Sequence, residues 1–319
     1  MKQAWPDIPY QDWRETCAAL HLFTQIVGKY RLARTPWVNH SWHATLTLDG
    51  SGLTTGPVPD AAGSVGIRFD LLDHALIGRA SDGRSGAFDL TPMTVAEFYG
   101  KFAALLGKLG ATASFNRRPN EVSDPVAFDQ DHAPRPYDAA AVERFFRALT
   151  LIDGVLKRFR TGFIGKASPV HLFWGSFDLA VTRFSGRTAP EHPGGVPALP
   201  DAVAREAYSH EVSSAGFWPG GGLSGIEYPA FYSYAYPAPP GFGEAKIEPK
   251  DAVYSAELGE YLLPYDAVRT APDPEAALLA FLQSTYRAAA DLGGWDRAAL
   301  ECSIGEPLRP RPSGQFAKA

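Results

Sequence analysis

Apolar residues recur at three- and four-residue intervals in four segments of the chain, the spacing that places them on one face of an α-helix. The broadest stripe runs over residues 138–160, where Asp138 is suited to cap the N-terminus. Another segment begins after Thr94 and Glu97, which have the spacing of a capping box, and it stops at Gly110. Helices are therefore predicted over residues 10–29, 95–110, 138–160 and 274–291.

Between these helices the chain contains runs in which apolar and polar residues alternate, the pattern of a half-buried β-strand. Residues 38–48 alternate in this way, and Asp82-Gly83 in the run 65–90 is a favoured hairpin turn. Further strands are predicted over residues 111–116, 168–186, 208–214, 226–236, 251–256 and 259–264. The Pro- and Gly-rich residues 186–202 are predicted to be a loop that could act as a lid.

The order of these elements predicts the fold class. Strands come in runs and do not alternate one by one with helices, so we predict an α+β fold with mostly antiparallel sheets and helices on one face. The length of 319 residues suits a single large domain, predicted over residues 1–305, with a mobile tail over residues 306–319. The triplet Phe-Asp-Leu occurs three times, which leaves open two similar halves, 1–136 and 137–305.

Composition narrows the classes of function. The net charge is −5 and no block of Lys and Arg occurs, so we predict that the protein does not bind nucleic acid. The two cysteines, Cys17 and Cys302, and the spacing of the histidines predict no metal and no cofactor. No run of about 18 apolar residues occurs. The N-terminus lacks the apolar core of a signal peptide, so we predict a soluble cytoplasmic protein that is not bound to a membrane.

Several longer motifs are specific enough to compare with known families. They are VAEFY at 95–99, SPVHLFWGSFDLAVTRFSGR at 168–187, REAYSHEVSSAGFWPG at 205–220 and LPYDAVR at 263–269. Together with the N-terminal run from Trp13 to His43, they resemble a bacterial family called domain of unknown function 5996. The resemblance covers nearly the whole chain and implies one continuous unit, and it implies no activity, cofactor or catalytic residue.

The first candidate site is the pair of histidines at 40 and 43. Two imidazoles that converge on one point would suit a metal ion. In a regular strand, however, His40 and His43 point to opposite faces, and His40 shares the apolar face with Trp42. His40 is therefore expected to be a hydrogen-bonded core residue, and His43 to be the more accessible of the two.

The second candidate is the aromatic run from His171 to Arg183. Its glycine, Gly175, is expected to bend the strand and to let the backbone approach a ligand, and Trp174 and Asp178 share one face. The alternative is a packed central strand in which Asp178 and Arg183 pair with other residues.

The third candidate runs from Tyr208 to Gly222. His210 can act as a general base near neutral pH, and Glu211 adjoins it. The glycines that follow Trp218 could fold over a pocket, although an ordinary aromatic and glycine-rich turn would give the same pattern.

These segments predict a small-molecule pocket lined by aromatic residues, in a protein that could be an enzyme. The alternative is a noncatalytic interaction or structural protein whose aromatic residues form core and interface. We expect the two candidate catalytic histidines, His171 and His210, to approach each other across neighbouring strands. The predicted ligand-binding residues are Trp174, Asp178, Arg183, Glu211, Trp218 and His43.

Overall fold

The computed structural model describes residues 4–61, 63–222 and 225–311. The helices are α1 (Tyr10–Leu32), α2 (Val95–Lys108), α3 (Ala139–Thr161), α4 (Asp201–Ala207), α5 (Tyr265–Arg269), α6 (Pro274–Leu292) and α7 (Arg297–Leu300). The strands are β1 (Thr47–Leu48), β2 (Gly52–Asp60), β3 (Gly63–Asp70), β4 (Ala75–Ala80), β5 (Ser85–Asp89), β6 (His171–Phe173), β7 (Asp178–Thr188), β8 (His210–Trp218), β9 (Ala230–Tyr236), β10 (Val253–Ser255) and β11 (Glu260–Pro264).

The strands form two antiparallel sheets, which confirms the predicted α+β class. The first sheet has the order β1-β2-β3-β4-β5, and the second has the order β10-β11-β9-β8-β7-β6. Reciprocal backbone hydrogen bonds between Leu46 and Leu172, of 2.9 and 2.8 Å, connect the segment before β1 to the edge strand β6. The first sheet packs against α1 and α2, and the second packs against α3 and α6.

The long helices begin where their capping residues predicted. Thr94 and Glu97 form the reciprocal capping box of α2, and the Asp138 side chain accepts a hydrogen bond from the Ala141 backbone at the start of α3. Gly110, which follows the end of α2, has a left-handed backbone with φ of 72°. Local sequence therefore determines both ends of α2.

One hydrophobic core joins the two sheets, and α1 lies across it. Trp13 of α1 packs on Phe145 of α3 with ring centroids 5.0 Å apart, and Phe23 stacks on Phe98 of α2 at 4.2 Å. Phe145 also contacts Phe177 of the second sheet at 5.8 Å. The core is thus continuous across the predicted boundary between the two halves.

Three predicted strands are wrong. Residues 39–41 form a short 3-10 helix and residues 42–44 a turn, because His40 and Ser41 have left-handed backbones with φ of 61° and 59°, and only Thr47–Leu48 is a strand. Residues 111–116 contain no strand. The segment 168–186 is not one strand but the hairpin of β6 and β7, with a turn over 174–177 in which Phe177 has φ of 57°.

The six-stranded sheet has two unlike faces. Apolar residues such as Leu179, Val181 and Phe217 lie on the face packed against α3 and α6, called here the helix-covered face. The opposite face carries mostly polar and aromatic side chains and is called here the loop-covered face. It includes Asp178, Thr182, Phe184, Ser214, Trp218, Tyr232 and Tyr234, which the strand register places on one side.

Two further observations concern membrane-spanning helices and the C-terminal tail. None of the helices in the described ranges is long and apolar enough to cross a membrane. Arg311, in the predicted mobile tail, donates a hydrogen bond of 2.9 Å to the Ser303 carbonyl. Residues 312–319 of that tail lie outside the described residues.

Candidate functional site

The predicted site residues are divided between the two faces of the second sheet. His171, Asp178, His210 and Trp218 belong to the loop-covered face, whereas Arg183 and Glu211 belong to the helix-covered face. Trp174 and His43 lie outside the strands, in the turns next to β6 and β1. The structure therefore does not form one site from all eight residues.

His171 and His210 do not meet. His171 is opposite Ala180, which is opposite Gly216, and His210 lies six residues farther along β8. Six residues of strand span about 20 Å, so the predicted approach of the two histidines is wrong. Burial, and secondarily Arg31, lowers the pKa of His171 to about 3, which leaves its ring neutral at physiological pH.

Arg183 lies in a cage of aromatic rings on the helix-covered face. Its guanidinium carbon is 3.5 Å from the ring centroid of Phe159 and 4.4 Å from that of Tyr286, and it donates a hydrogen bond to the Phe159 carbonyl. Burial lowers the pKa of Arg183 to about 10, so the group still carries its charge at neutral pH. These contacts give Arg183 a structural role, away from Asp178.

The other outlying predicted residues also make structural contacts. Glu211 forms an ion pair of 2.7 Å with Arg187. Trp174 donates a hydrogen bond of 2.6 Å to the Ala44 carbonyl. His43 is buried and not accessible as expected, because the 38–46 turn folds its ring inward, where Nδ1 accepts a hydrogen bond of 3.1 Å from the Val38 backbone.

A group of carboxyl and phenol side chains comes together on the loop-covered face, and we call it the carboxylate–tyrosine recess. Alternate residues of β9 contribute two tyrosines, while the first residues of β7 and β11 and two connecting segments contribute the rest. Its members are Glu121, Asp178, Tyr208, Tyr232, Tyr234 and Glu260.

Asp178 is the buried centre of this recess. Ser176 donates a hydrogen bond to one carboxylate oxygen, and Tyr232 donates a hydrogen bond to the other. Burial raises the pKa of Asp178, and these two hydrogen bonds oppose the increase because they favour the charged form.

Two further carboxyls face the same space. Burial, reinforced by the charge of Asp178, raises the pKa of Glu121 to about 7 and that of Glu260 to about 8. The buried Oε2 atom of Glu260 has no hydrogen-bond partner, and no Lys or Arg in the described ranges forms an ion pair with any of the three carboxyls. The carboxyls of the recess are therefore either negatively charged or neutralised by bound protons.

Aromatic rings form the walls of the recess. Trp218 stacks on Tyr232 with centroids 4.3 Å apart, and Tyr232 is nearly parallel to Tyr234 at 6.1 Å. The hydroxyls of Tyr208 and Tyr234 are hydrogen-bonded at 3.0 Å. Burial raises the pKa of Tyr208 to about 12, so its phenol stays protonated and can donate.

The segment over residues 189–200 contacts this recess, and the ends of the predicted loop 186–202 belong to β7 and α4. The ring of His192 stacks on Tyr208 at 4.6 Å, and Tyr236 donates a hydrogen bond of 3.1 Å to the Pro190 carbonyl. At the other end, the Glu121 backbone donates a hydrogen bond of 3.1 Å to the Pro197 carbonyl. We call this segment the lid.

A small cleft of about 60 Å³ borders the recess. Ser176 and Trp218 line the cleft and also contact members of the recess, Asp178 and Tyr232. His21 lines it as well and makes a hydrogen bond of 2.8 Å to the Gly175 carbonyl. The cleft thus lies next to Ser176, the hydrogen-bond donor of Asp178.

One known family matches nearly the whole chain. The sequence profile of a family of unknown function, DUF5996, matches residues 5–302. The chain belongs to this family. No curated protein and no solved structure matches it.

The described part of this DUF5996 chain contains no group of three or more His, Cys, Asp or Glu residues arranged to hold a metal ion. Cys17 and Cys302 are both free thiols.

Sequence reasoning did not select Glu121, Tyr232, Tyr234 or Glu260 as site residues of the DUF5996 chain. The tyrosines at 232, 234 and 236 repeat every second residue, a signal that places them on one face of a strand. Glu260 is a single acid next to apolar strand residues, a weaker signal. Glu121 lies in an irregular segment, where no periodicity shows which way a side chain points.

Proposed function

We propose that the protein binds a small organic cation, such as a primary amine or a quaternary ammonium compound, in the carboxylate–tyrosine recess. One observation carries the proposal. Glu121, Asp178 and Glu260 come together in a buried space, and none of the described Lys and Arg residues pairs with them. A cationic ligand would supply the missing positive charge.

The electrostatics favour such a ligand over an anion. Burying an ionised carboxylate without a partner costs free energy, and this cost raises the pKa values of Glu121 and Glu260. The empty site therefore takes up protons. A bound cation stabilises the ionised carboxylates and releases the protons. Binding is therefore expected to strengthen as the pH rises from 6 towards 9.

The aromatic walls support the same ligand class. A cation over the face of Trp or Tyr gains about 0.5–2 kcal/mol, and more where water is excluded. Trp218, Tyr232 and Tyr234 present a row of nearly parallel rings beside the carboxyls. An ammonium group would contact ring faces and carboxylate oxygens together, whereas a neutral apolar molecule would leave the carboxyls unsatisfied.

The burial of the tyrosines also argues against the alternative of an aromatic interaction surface. Tyr232 is buried, and Tyr208 and Tyr234 are only partly exposed under the lid. A flat interface for a protein partner requires exposed rings.

A thermal-shift screen tests the proposal. The full chain is heated with a panel of primary amines, quaternary ammonium compounds and guanidines, each matched with a neutral and an anionic analogue of similar size. We expect selective stabilisation by one cationic class, with binding then measured by titration calorimetry between pH 6 and 9.

Two variants place the binding in the recess. Glu260→Gln should weaken binding by at least about tenfold, which corresponds to a loss of roughly 1.4 kcal/mol in binding free energy. Glu257→Gln alters an exposed carboxyl three residues away and should bind like the unmodified protein. Equal binding of neutral analogues, or equal affinity in the two variants, would contradict the proposal.

A further inference from the structure

A second cluster of titratable groups lies on the loop-covered face, away from the carboxylate–tyrosine recess. The Nζ atom of Lys166 is 2.6 Å from Nε2 of His40. The ring of His40 packs on Phe184 of β7, with centroids 4.6 Å apart, and its ring centroid is 6.0 Å from that of His210. A lysine and a histidine in direct contact are unusual, because both are bases.

The hydrogen bonds of His40 determine which ring nitrogen carries the proton. Nδ1 is 2.7 Å from the Ala207 carbonyl oxygen, which can only accept, so Nδ1 donates. Burial, and secondarily the charge of Lys166, lowers the pKa of His40, while its bond to Ala207 opposes this. The ring is therefore neutral, and the lone pair of Nε2 faces the Lys166 amine.

The backbone at His40 holds this arrangement in place. His40 has a left-handed conformation with φ of 61°, which costs free energy for a residue with a side chain. Its backbone N–H donates to the carboxylate of Glu206, with distances of 3.2 and 3.0 Å to the two oxygens. The carboxylate thus compensates the strained turn at His40.

The surroundings of Lys166 favour a reactive amine. Its Nζ lies over the rings of Phe184 and Trp42, 4.7 and 5.4 Å from their centroids, and within the described ranges it forms no ion pair. Burial of the amine lowers its pKa, and the charge of Glu206 opposes this. The Lys166 residue as a whole remains exposed, so a reagent from solution can reach it.

We propose that Lys166 is a nucleophilic amine that forms an imine with a small aldehyde or ketone, and that His40 is the base that accepts its proton. The arrangement has the three parts that activate a nucleophile: the nucleophile, a base within hydrogen-bond reach, and a group that orients the base. The Ala207 carbonyl orients the ring of His40.

The steps balance without an oxidant or reductant. The Lys166 ammonium gives one proton to Nε2 of His40, and the free amine attacks the carbonyl carbon, forming a C–N bond. The C=O π bond opens as this bond forms, and a proton passes from the attacking nitrogen to the carbonyl oxygen, giving a neutral carbinolamine. Protonation of its hydroxyl by His40 and loss of water then leave the iminium ion. The net change is the condensation of an amine with a carbonyl compound and the release of one water molecule.

Reductive trapping with benzaldehyde tests the inference, since an aromatic aldehyde suits the rings of Phe184 and Trp42. The full chain is incubated with benzaldehyde and sodium cyanoborohydride at pH 7, and the benzylated lysines are quantified by peptide mass spectrometry. Lys101 is the matched control, because its Nζ lies 5.9 Å from the ring centroid of Phe88 without a histidine bonded to it. We expect Lys166 to react about tenfold faster than Lys101.

Variants assign the effect to the pair. His40→Asn keeps a residue that tolerates the left-handed backbone, and it should reduce the Lys166 rate to that of Lys101. Lys166→Arg should remove the fast site and leave the other lysines unchanged. Reaction of Lys166 at the rate of Lys101 in the unmodified protein overturns the inference, whether or not the His40 variant folds. Because this test uses no ligand of the recess, its outcome is independent of cation binding there.

Discussion

At the scale of single residues, the two faces of the second sheet differ in the protonation of their buried ionisable groups. Arg183 is surrounded by π-faces that stabilise a cation and is influenced by the charge of Glu301, so it remains charged. Glu121 and Glu260 lie among rings and other carboxyls that stabilise no anion, so they hold protons near neutral pH. One sheet therefore separates a structural cation from a proton-binding recess.

Glu260 should make stability depend on pH. The folded protein retains a proton on Glu260 up to about pH 8, whereas an unfolded glutamic acid releases its proton near 4.5. The folded state thus binds more protons in this window, and the free energy of unfolding falls as the pH rises from about 5 to 8.

Glu260→Gln, a neutral isostere, should match the unmodified protein at pH 5 and exceed its stability at pH 9 by on the order of 2 kcal/mol. Urea denaturation at both pH values measures the difference, with Glu257→Gln as the control. An unchanged pH profile in Glu260→Gln would show that this carboxyl ionises normally.

Arg183→Lys should be destabilising although the charge is kept. Lysine cannot stack a planar group between Phe159 and Tyr286, nor keep the hydrogen bond to the Phe159 carbonyl in the same geometry. We expect a loss of about 2–3 kcal/mol in the free energy of unfolding, measured as a lower urea midpoint with an unchanged m-value. Cation binding in the recess should be unaffected, since Arg183 lies on the other face. Weaker binding in a folded Arg183→Lys variant would place this residue in the ligand site after all.

At the scale of elements, the lid depends on contacts near its two ends. His192 and Pro190 contact the tyrosines at one end, while Pro197 and Ala198 accept hydrogen bonds from residues 120 and 121 at the other. Its middle contains Gly194 and Gly195, both with φ of 81°, a conformation that glycine adopts readily. Such a segment can open locally without unfolding the sheet beneath it.

Asn120→Ala should loosen the lid. The side chain of Asn120 donates to the Ala198 carbonyl and accepts from Lys29, so its removal leaves this end of the lid held by the backbone bond from Glu121 to Pro197. We expect hydrogen exchange in residues 190–199 to become at least about tenfold faster, the effect of losing roughly 1.4 kcal/mol of local stability, while exchange in β8 stays unchanged. Asn116→Ala, which alters only a local hydrogen bond to Arg118, is the control. Equal exchange in both variants would show that other contacts hold the lid.

Elements with strong local signals were predictable from the sequence. The capping residues Thr94 and Asp138 set the starts of α2 and α3 because their side chains bond the backbone a few residues away. The predicted strand over 38–48 failed because the left-handed residues His40 and Ser41 interrupt the alternation, and their conformation depends on the distant carboxylate of Glu206. Contacts between residues far apart in sequence leave no periodic trace.

The candidate site was only partly predictable for the same reason. Asp178 and Trp218 were proposed as ligand-binding residues because they lie in aromatic strands, and the strand register places both on the loop-covered face, where their role stays a prediction. The expected meeting of His171 and His210 needed the register of β6, β7 and β8, which is set by tertiary packing. Glu121 enters the recess through the backbone bond that docks it on the lid.

At the scale of the whole molecule, the two sheets share one core, and α1 connects them. Phe23 and Phe98 join α1 to the first sheet, while Trp13 and Phe145 join it to α3. The N-terminal segment reaches farther still, since Tyr265 donates a hydrogen bond of 2.9 Å to the Pro6 carbonyl. A cut between residues 136 and 137 would separate α1 from α3 and expose Trp13, so the predicted halves are not expected to fold alone.

Phe145→Ala tests this cooperativity. Phe145 is fully buried and touches both Trp13 of α1 and Phe177 of the second sheet, so its truncation leaves a cavity between the two halves. Loss of a buried phenylalanine side chain costs about 3–5 kcal/mol. If the chain unfolds as one unit, the most protected amides of β3 and of β8 should lose the same amount of protection, because both exchange through the same global opening.

Calorimetry of the variant should still show a single transition with equal calorimetric and van't Hoff enthalpies. Val253→Ala, at an exposed position of the edge strand β10, is the control and should change neither strand. A loss of protection confined to β8, or a second calorimetric transition, would mean that the first sheet unfolds independently and that the core shared through α1 does not couple the two halves.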